Sequence, residues 1–386
     1  MRVLLQSRAE TFRRNGGEAQ QILRLAAALE RAGASIRVTA EIAPALDGVD
    51  LVHLFGIMQP AETLAQTRHA AQRGTPIVLT PIYQDLRDYH ARAAGTRNLP
   101  APAREWARLA AQTLSGDWPG TSAWRAQWQA RGLEQESQRR EIVAAAQGVL
   151  ANSQLELDAV LKNYGPPAIS SEKLLGVLRV GVGEEFFSAS PEPFASRWGA
   201  QLDGALLRRE LVVCAGFLSS LKNQLALLRA LQGTGLQVVL AGAEVPTHRA
   251  YARDLRHEAQ SGHPPALLTG PLSCGELASL FSAARVVAQP SWFETCGMAA
   301  LEAAAVGANV VITECGFARE YFGDAAWYCR PEAPESIRRA VLDAWAAAPR
   351  TDLAGRIRAE FTWEAAALTA RKFYEQVLAR RTRRTP

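Results

Sequence analysis

Two hydrophobic periods alternate along the first half of the chain. Short apolar runs typical of buried strands are separated by stretches in which apolar residues recur every three or four positions, the spacing of one helix face. The first helical stretch places four apolar residues at i, i+3, i+4 and i+7: Ile22, Leu25, Ala26 and Leu29. Gly33 then fits a helix stop, because glycine readily adopts the left-handed conformation. The pattern predicts parallel strands, with helices between them, at residues 3–6, 35–39, 51–55, 76–80 and 148–151.

The same pattern starts again after an interruption between residues 186 and 198, where Ser188, Pro191 and Pro193 are typical of a linker. The second set of strands is predicted at residues 211–215, 237–241, 285–288 and 309–312. We therefore predict an α/β protein with two doubly wound, Rossmann-like domains that face each other across a cleft. The predicted N-terminal domain is residues 1–187, the C-terminal domain is residues 188–362, and a last helix begins at about residue 363.

Composition agrees with a large globular protein in a reducing compartment. The chain has 386 residues, of which 48% are hydrophobic and 21% charged, and no stretch approaches the roughly 20 uncharged apolar residues that span a bilayer. The N-terminus fits a first strand that turns polar at Gln6, rather than the apolar core of a secretory signal. The five cysteines include no C-x-x-C pair, which argues against a disulfide framework and against a zinc site. We expect a cytoplasmic protein.

The formal net charge of +5 is modest, and part of it lies in an arginine-rich tail: Arg380, Arg381, Arg383 and Arg384. Such a tail is usually solvated, and peripheral contact with anionic lipids of the inner membrane leaflet is a second interpretation. No recognition helix, zinc finger or aromatic ribonucleoprotein strand is recognisable, so we expect no nucleic-acid partner. An inserted segment at residues 88–138 contains Trp106, Trp118, Trp124 and Trp128. These aromatic residues fit either an ordinary helical core or an amphipathic surface for a bulky or lipid-linked acceptor.

The strongest chemical signal is residues 290–302, which follow a buried strand and open an alanine-rich helix. Gly297, Met298 and Ala299 offer free backbone N–H groups at the helix start, where the partial positive charge suits a diphosphate. Glu294 precedes the helix and Glu302 lies about one turn inside it, and both carboxylates can accept hydrogen bonds from sugar hydroxyls. An acidic residue in a first turn can also simply favour the helix dipole.

Two further loops follow predicted strands. Gly16 and Gly17 come after the first strand and permit a tight turn with N–H groups available to a phosphate or a reacting sugar, although a plain turn would also explain them. Lys222 lies seven residues after the strand at 211–215, and a single lysine in a surface loop is by itself unremarkable. The chain has no D-x-D sequence, so no magnesium clamp for phosphate is indicated and we expect no metal or other cofactor.

Together these segments resemble the retaining glycosyltransferases of family 4, which have the GT-B fold. Glu294 and Glu302 occupy the two carboxylate positions of the E-x(7)-E element, and Lys222 occupies the family's lysine position. The resemblance implies that Glu294 and Lys222 are catalytic and that Gly16, Gly17, Gly297, Met298, Ala299 and Glu302 bind substrate. It also implies that the last helix, residues 363–386, crosses back onto the first domain.

The sequence departs from the family at two positions. Phe217 stands where the family has an arginine that helps the lysine to hold the leaving diphosphate. Many relatives also have a histidine in the loop that here contains residues 81–85, where Tyr83 or Asp85 could substitute, and His53 fits a packed histidine better than a catalytic one.

The resemblance implies a metal-independent, retaining transfer of a hexose from a nucleotide-diphosphate sugar to the hydroxyl of a glycan or lipid-linked acceptor, in polysaccharide or glycoconjugate synthesis. A non-catalytic, sugar-nucleotide-binding regulatory subunit is the first alternative, since Phe217 replaces the arginine. A sugar-nucleotide epimerase of the same fold is the second, although no acid and base pair for that reaction is evident.

Overall fold

Parallel pairing of short, buried strands builds two six-stranded sheets in the computed structural model. The structure describes residues 1–14, 16–87, 89, 122–164, 173–202, 204–205 and 209–382. Contacts group the chain into two units. The first contains Met1–Arg14, Gly33–Leu178 and Ala370–Pro386, and the second contains Asn15–Ala32 and Arg179–Thr369. The domain boundaries at residues 187 and 362 stay predictions.

The sheet of the first unit has the strand order β2-β1-β3-β4-β5-β6. Its strands are β1 (Arg2–Gln6), β2 (Ser35–Thr39), β3 (Leu51–Phe55), β4 (Ile77–Thr80), β5 (Gly148–Ala151) and β6 (Leu174–Val177). The helices that begin in this unit are α1 (Ala9–Arg14), α3 (Pro60–Gln72), α4 (Ser122–Ala145) and α5 (Gln154–Tyr164). Strand β3 is buried along its whole length, which places it in the centre of the core.

The sheet of the second unit has the order β12-β11-β10-β7-β8-β9. Its strands are β7 (Leu211–Ala215), β8 (Gln237–Ala241), β9 (Leu267–Gly270), β10 (Ala284–Gln289), β11 (Asn309–Thr313) and β12 (Trp327–Cys329). Its helices are α2 (Gly17–Arg31), α6 (Glu184–Phe187), α7 (Glu192–Trp198), α8 (Gln224–Ala230), α9 (Arg249–Ser261), α10 (Cys274–Ala283), α11 (Met298–Ala305), α12 (Arg319–Phe322), α13 (Pro334–Ala346) and α14 (Thr351–Glu360).

The last helix, α15 (Trp363–Thr382), is shared between the two units, with the division after Thr369. Its C-terminal part packs on the first sheet. The ring of Phe373 would lie 2.6 Å from a β-carbon at Gly148, so this strand position accommodates the ring only because it is glycine. Tyr374 Oη lies 2.7 Å from Nδ1 of the buried His53, whose Nε2 lies 2.8 Å from Thr80 Oγ1. His53 is therefore a packed core residue, as predicted.

The structure confirms every predicted strand and the doubly wound, parallel architecture. It adds β6, β9 and β12, which the sequence pattern missed. Each of the three is an edge strand of its sheet, has only three or four residues and is only partly buried, so its apolar run is too short to mark a strand by itself. Among the described helices, none is long and apolar enough to cross a bilayer. Trp106 and Trp118 lie outside the described residues, and for Trp124 and Trp128 only the backbone, in α4, is described.

Candidate active site

The backbone of Glu294 is held between β10 and α11 by a short parallel bridge to the loop after β11. Its N–H donates to the carbonyl oxygen of Cys315 over 3.1 Å, and its own carbonyl oxygen accepts from the N–H of Phe317 over 2.8 Å. Gly316, between these two partners, has φ +109°, and a β-carbon there would lie 2.1 Å from the Glu294 carbonyl oxygen. The glycine permits this close approach and so fixes the position of the glutamate.

The Glu294 carboxylate is buried and has two strong hydrogen-bond donors. Lys222 Nζ lies 2.6 Å from Glu294 Oε1, and Ser291 Oγ also lies 2.6 Å from that oxygen. Burial disfavours the charged form of Lys222, but the neighbouring Glu294 carboxylate outweighs this effect and raises the pKa of the ammonium group above its ordinary value. The structure thus brings the two predicted catalytic residues into direct contact as an ion pair.

Lys222 is positioned by a tight turn before α8. Asn223 has φ +62°, a left-handed conformation that asparagine adopts more readily than most residues. Its side-chain amide donates to the carbonyl oxygens of Pro290, over 3.1 Å, and Pro331, over 2.8 Å. The N–H of Trp292 donates to the Leu221 carbonyl oxygen over 2.8 Å, which ties the lysine turn to the glutamate loop.

The start of α11 depends on a glycine. Gly297 is its N-cap residue, with φ +70°, and no side chain caps the helix. A β-carbon at Gly297 would lie 2.7 Å from Ile312 Cδ1, so both conformation and packing favour glycine. Met298 and Ala299 are half-buried. Their N–H groups belong to the first turn of the helix, where backbone N–H groups have no hydrogen-bond acceptor within the helix.

The glycine pair at the start of α2 belongs to the same unit as these residues. A β-carbon at Gly16 would lie 2.6 Å from Phe217 Cε2, and one at Gly17 would lie 3.6 Å from Met298 Sδ. The structure therefore places Gly16 beside Phe217, the residue at the position of the family arginine, and Gly17 beside the start of α11.

Glu302 lies on α11, half-buried, and its carboxyl makes no hydrogen bond or ion pair among the described residues. The pKa of this carboxyl is raised to about 8, mainly by burial and also by the Glu185 carboxylate, while the Arg24 guanidinium opposes both effects. Arg24 and Glu185 form an ion pair in which Nη1 lies 3.2 Å from Oε2.

In the first unit, both residues that could substitute for the family histidine already have a side-chain partner. Tyr83 is buried, and its hydroxyl accepts a hydrogen bond from Asn163 Nδ2 over 3.1 Å. Asp85 is paired with Arg87, whose Nε lies 2.8 Å from Asp85 Oδ1.

Sequence analysis did not identify four residues that surround the predicted ones: Ser291, Asn223, Arg24 and Glu185. Two of them had a local signal, since Ser291 lies three residues before Glu294 and Asn223 follows Lys222 directly. Arg24 and Glu185 are separated by 161 positions, and no local pattern connects them.

One family model matches within the second half of the chain. Residues 209–347 match the model of a family described as glycosyl transferases group 1. No curated protein gives a match.

Solved structures match over nearly the whole chain. Sucrose-phosphate synthase from Thermosynechococcus elongatus is 16% identical, with a TM-score of 0.70 over 98% of this chain and 100% of that one. HepE from Anabaena, in complex with UDP, is also 16% identical, with a TM-score of 0.68 over 97% and 100% of the two chains. An α,α-trehalose-phosphate synthase (UDP-forming) from Burkholderia vietnamiensis is 13% identical, with a TM-score of 0.65 over 98% of each. At this identity the likeness shows the fold, and the family match covers the segment that contains Lys222, Glu294 and Glu302. The chain therefore has the GT-B fold, and its residues 209–347 are similar to the glycosyl transferases group 1 family.

Proposed function

We propose that this protein is a retaining glycosyltransferase that moves a hexose from a nucleotide-diphosphate sugar to an acceptor hydroxyl. The observation that supports this best is the 2.6 Å ion pair between Lys222 and Glu294, in a loop that leads directly to the uncapped start of α11. This arrangement combines a cation, a helix N-terminus and a carboxylate in one small region. A sugar diphosphate has a complementary group for each of them.

The diphosphate would be held by Lys222 and by the N–H groups of Met298 and Ala299. The Lys222 ammonium group is positively charged and the two N–H groups are partly positive. All three are held in place before the ligand binds, so they can stabilise the negative charge that develops on the leaving diphosphate. This pairing requires no metal, and we propose that the reaction is metal-independent. Gly16 and Gly17 would allow backbone N–H groups to approach the same phosphates.

Glu294 would accept hydrogen bonds from hydroxyls of the transferred sugar, and Glu302 from the hydroxyls of the ribose. The retaining outcome rests on the resemblance of residues 294–302 to the E-x(7)-E element. Transfer would depend mainly on orientation of the two substrates and on stabilisation of the diphosphate.

The donor class has support from the solved neighbours, since HepE was crystallised with UDP, with UDP and glucose, and with UDP-glucose. We propose that the acceptor is a glycan or a lipid-linked glycan, in polysaccharide or glycoconjugate synthesis in the cytoplasm. Peripheral contact with the inner membrane leaflet through the arginine-rich tail belongs to the same proposal.

The proposal is tested by thermal unfolding of the protein with UDP, GDP, ADP and their hexose conjugates, each with excess EDTA. A ligand that binds only the folded state at a hundred times its Kd adds about 2.7 kcal/mol to stability, so the midpoint should rise by several degrees with at least one diphosphate. The proposal fails if no diphosphate shifts the midpoint. A shift that appears only when Mg²⁺ or Mn²⁺ replaces EDTA would contradict metal independence alone.

A second candidate, a sugar-nucleotide-binding subunit without catalytic activity, is favoured by the contact of Phe217 with Gly16. The aromatic ring occupies the position where the family has a second cation. Phe217→Arg distinguishes the two candidates. In an active transferase the change should alter turnover only modestly, whereas in a silent protein it should create hydrolysis of the sugar nucleotide. Loss of one such donor costs about a hundredfold to a thousandfold in rate in other enzymes, which gives the scale of the expected gain.

A further inference from the structure

Two side chains donate to the same oxygen of the Glu294 carboxylate. Lys222 Nζ and Ser291 Oγ each lie 2.6 Å from Oε1. The other oxygen, Oε2, accepts no hydrogen bond from the described residues, yet it is not a buried polar atom without a partner, so solvent reaches it. The carboxylate therefore has one oxygen held by the protein and one available to a ligand.

Backbone contacts on both sides of Ser291 fix the two donors relative to each other. Before the serine, the carbonyl oxygen of Pro290 accepts from Asn223 Nδ2 over 3.1 Å. After it, the N–H of Trp292 donates to the carbonyl oxygen of Leu221 over 2.8 Å. The neighbours of the serine are thus bonded to the neighbours of the lysine, so the two side chains approach Oε1 from fixed positions.

Ser291 and Lys222 differ in how firmly they can hold this oxygen. Lys222 has a long, flexible side chain that is 28% exposed, and a diphosphate would also engage the three donors of its ammonium group. Ser291 is fully buried, its side chain is short, and its hydroxyl donates to Glu294 Oε1. The serine therefore keeps its hold on the carboxylate when the lysine turns to a ligand.

We infer that Ser291 is a positioning residue that keeps Oε2 of Glu294 available to the hydroxyls of the donor sugar. This inference rests on the proposed function, in which Glu294 accepts hydrogen bonds from the transferred hexose. The last torsion of a glutamate side chain is broad, so the carboxylate rotates easily unless hydrogen bonds restrict it. Without the serine, the lysine alone restrains the two oxygens.

This role affects the sugar and spares the diphosphate. Loss of the Ser291 hydroxyl should weaken the contacts of Glu294 with the hexose, while the diphosphate keeps Lys222 and the N–H groups of Met298 and Ala299. A serine that served only to stabilise the loop would instead weaken the binding of both ligands equally.

The test measures by calorimetry the Kd of UDP, GDP and ADP and of their conjugates UDP-glucose, UDP-galactose, UDP-N-acetylglucosamine, GDP-mannose and ADP-glucose. For the base that binds, the measured quantity is the Kd of the diphosphate divided by that of its tightest conjugate. Ser291→Ala should lower this ratio by about threefold to tenfold, while the Kd of the diphosphate alone stays within about twofold.

Two further variants accompany the test. Ser282 on α10 is also a buried serine, and its Oγ donates to the carbonyl oxygen of Ser279 over 2.8 Å, outside the candidate site. Ser282→Ala therefore removes a comparable hydrogen bond and should leave the ratio unchanged. Ser291→Cys introduces a thiol that is similar in size but a weak donor, so it should shift the ratio in the same direction and by less. It carries the test if Ser291→Ala does not fold.

Two results would overturn this inference while nucleotide binding stands. One is an unchanged ratio in the Ser291 variants, and the other is an equal fall of the ratio in Ser282→Ala. A wild-type protein that binds none of the probes would overturn the proposed function, and this inference with it.

Discussion

At the scale of single residues, the ion pair of Lys222 and Glu294 explains how this site keeps a carboxylate buried. An unpaired buried charge is strongly destabilising, but Glu294 receives both the Lys222 ammonium and the Ser291 hydroxyl on one oxygen. The cation needed for a diphosphate is therefore already in place before the ligand binds. Substitution of either partner leaves the other charge uncompensated, so experiments on this pair must separate a loss of binding from a loss of folding.

Gly16 and Gly17 provide a prediction at the same scale, because the two adjacent glycines have different surroundings. A β-carbon at Gly16 would lie 2.6 Å from the Phe217 ring, whereas one at Gly17 would meet only Met298 Sδ, at 3.6 Å. Gly16→Ala should lower the free energy of unfolding by about 1–3 kcal/mol through overpacking. Gly17→Ala, at the first position of α2, should be neutral or slightly stabilising.

Urea unfolding of both variants measures the difference. Gly16→Ala combined with Phe217→Ala should recover part of the loss, since the ring that collides is then absent. Equal stabilities of the two single alanine variants would show that the Phe217 ring moves aside without cost.

At the scale of elements, two glutamates accept backbone hydrogen bonds at the starts of helices, one with a buried side chain and one with a partly exposed side chain. Glu156 on α5 is fully buried, and its two oxygens accept from the N–H of Tyr83, over 2.5 Å, and from the N–H of Asn152, over 2.7 Å. It thereby joins the loop after β4 to the loop after β5. Glu276 on α10 has an equivalent place in a capping box with Ser273, but there its side chain is 32% exposed.

The same substitution at these two glutamates should therefore have different costs. Glu156→Gln places an amide donor against a buried N–H and should lower the free energy of unfolding by about 1–3 kcal/mol. Glu276→Gln leaves groups that water can reach and should cost about 0.5 kcal/mol. Denaturant titrations of the two variants check the contrast, and equal costs would show that burial of Glu156 does not decide its contribution.

At the scale of the whole molecule, the two parallel sheets and the elements of the candidate site could be predicted from the sequence. The ion pair between Arg24 and Glu185 could not. Central strands such as β3 are apolar along their length, and the loop from Glu294 to Gly297 combines glycine, carboxylate and helix start within a few positions. These signals are local. The pair of Arg24 and Glu185 depends on the packing of α2 and α6 within one unit, and edge strands such as β9 are short and only partly buried.

The central claim, that residues 222 and 294–302 hold the diphosphate of a donor nucleotide, is tested most directly by calorimetric titration of the wild type and Lys222→Ala. The ligands are the nucleoside diphosphate that stabilises the protein most in the thermal screen and the corresponding nucleoside. A hydrogen bond to a charged group contributes about 1.5–3 kcal/mol, so the Kd of the diphosphate should rise by about tenfold to a hundredfold, while that of the nucleoside stays within about twofold. Equal weakening of both ligands would contradict the account, because Lys222 would then act on the fold and not on the diphosphate.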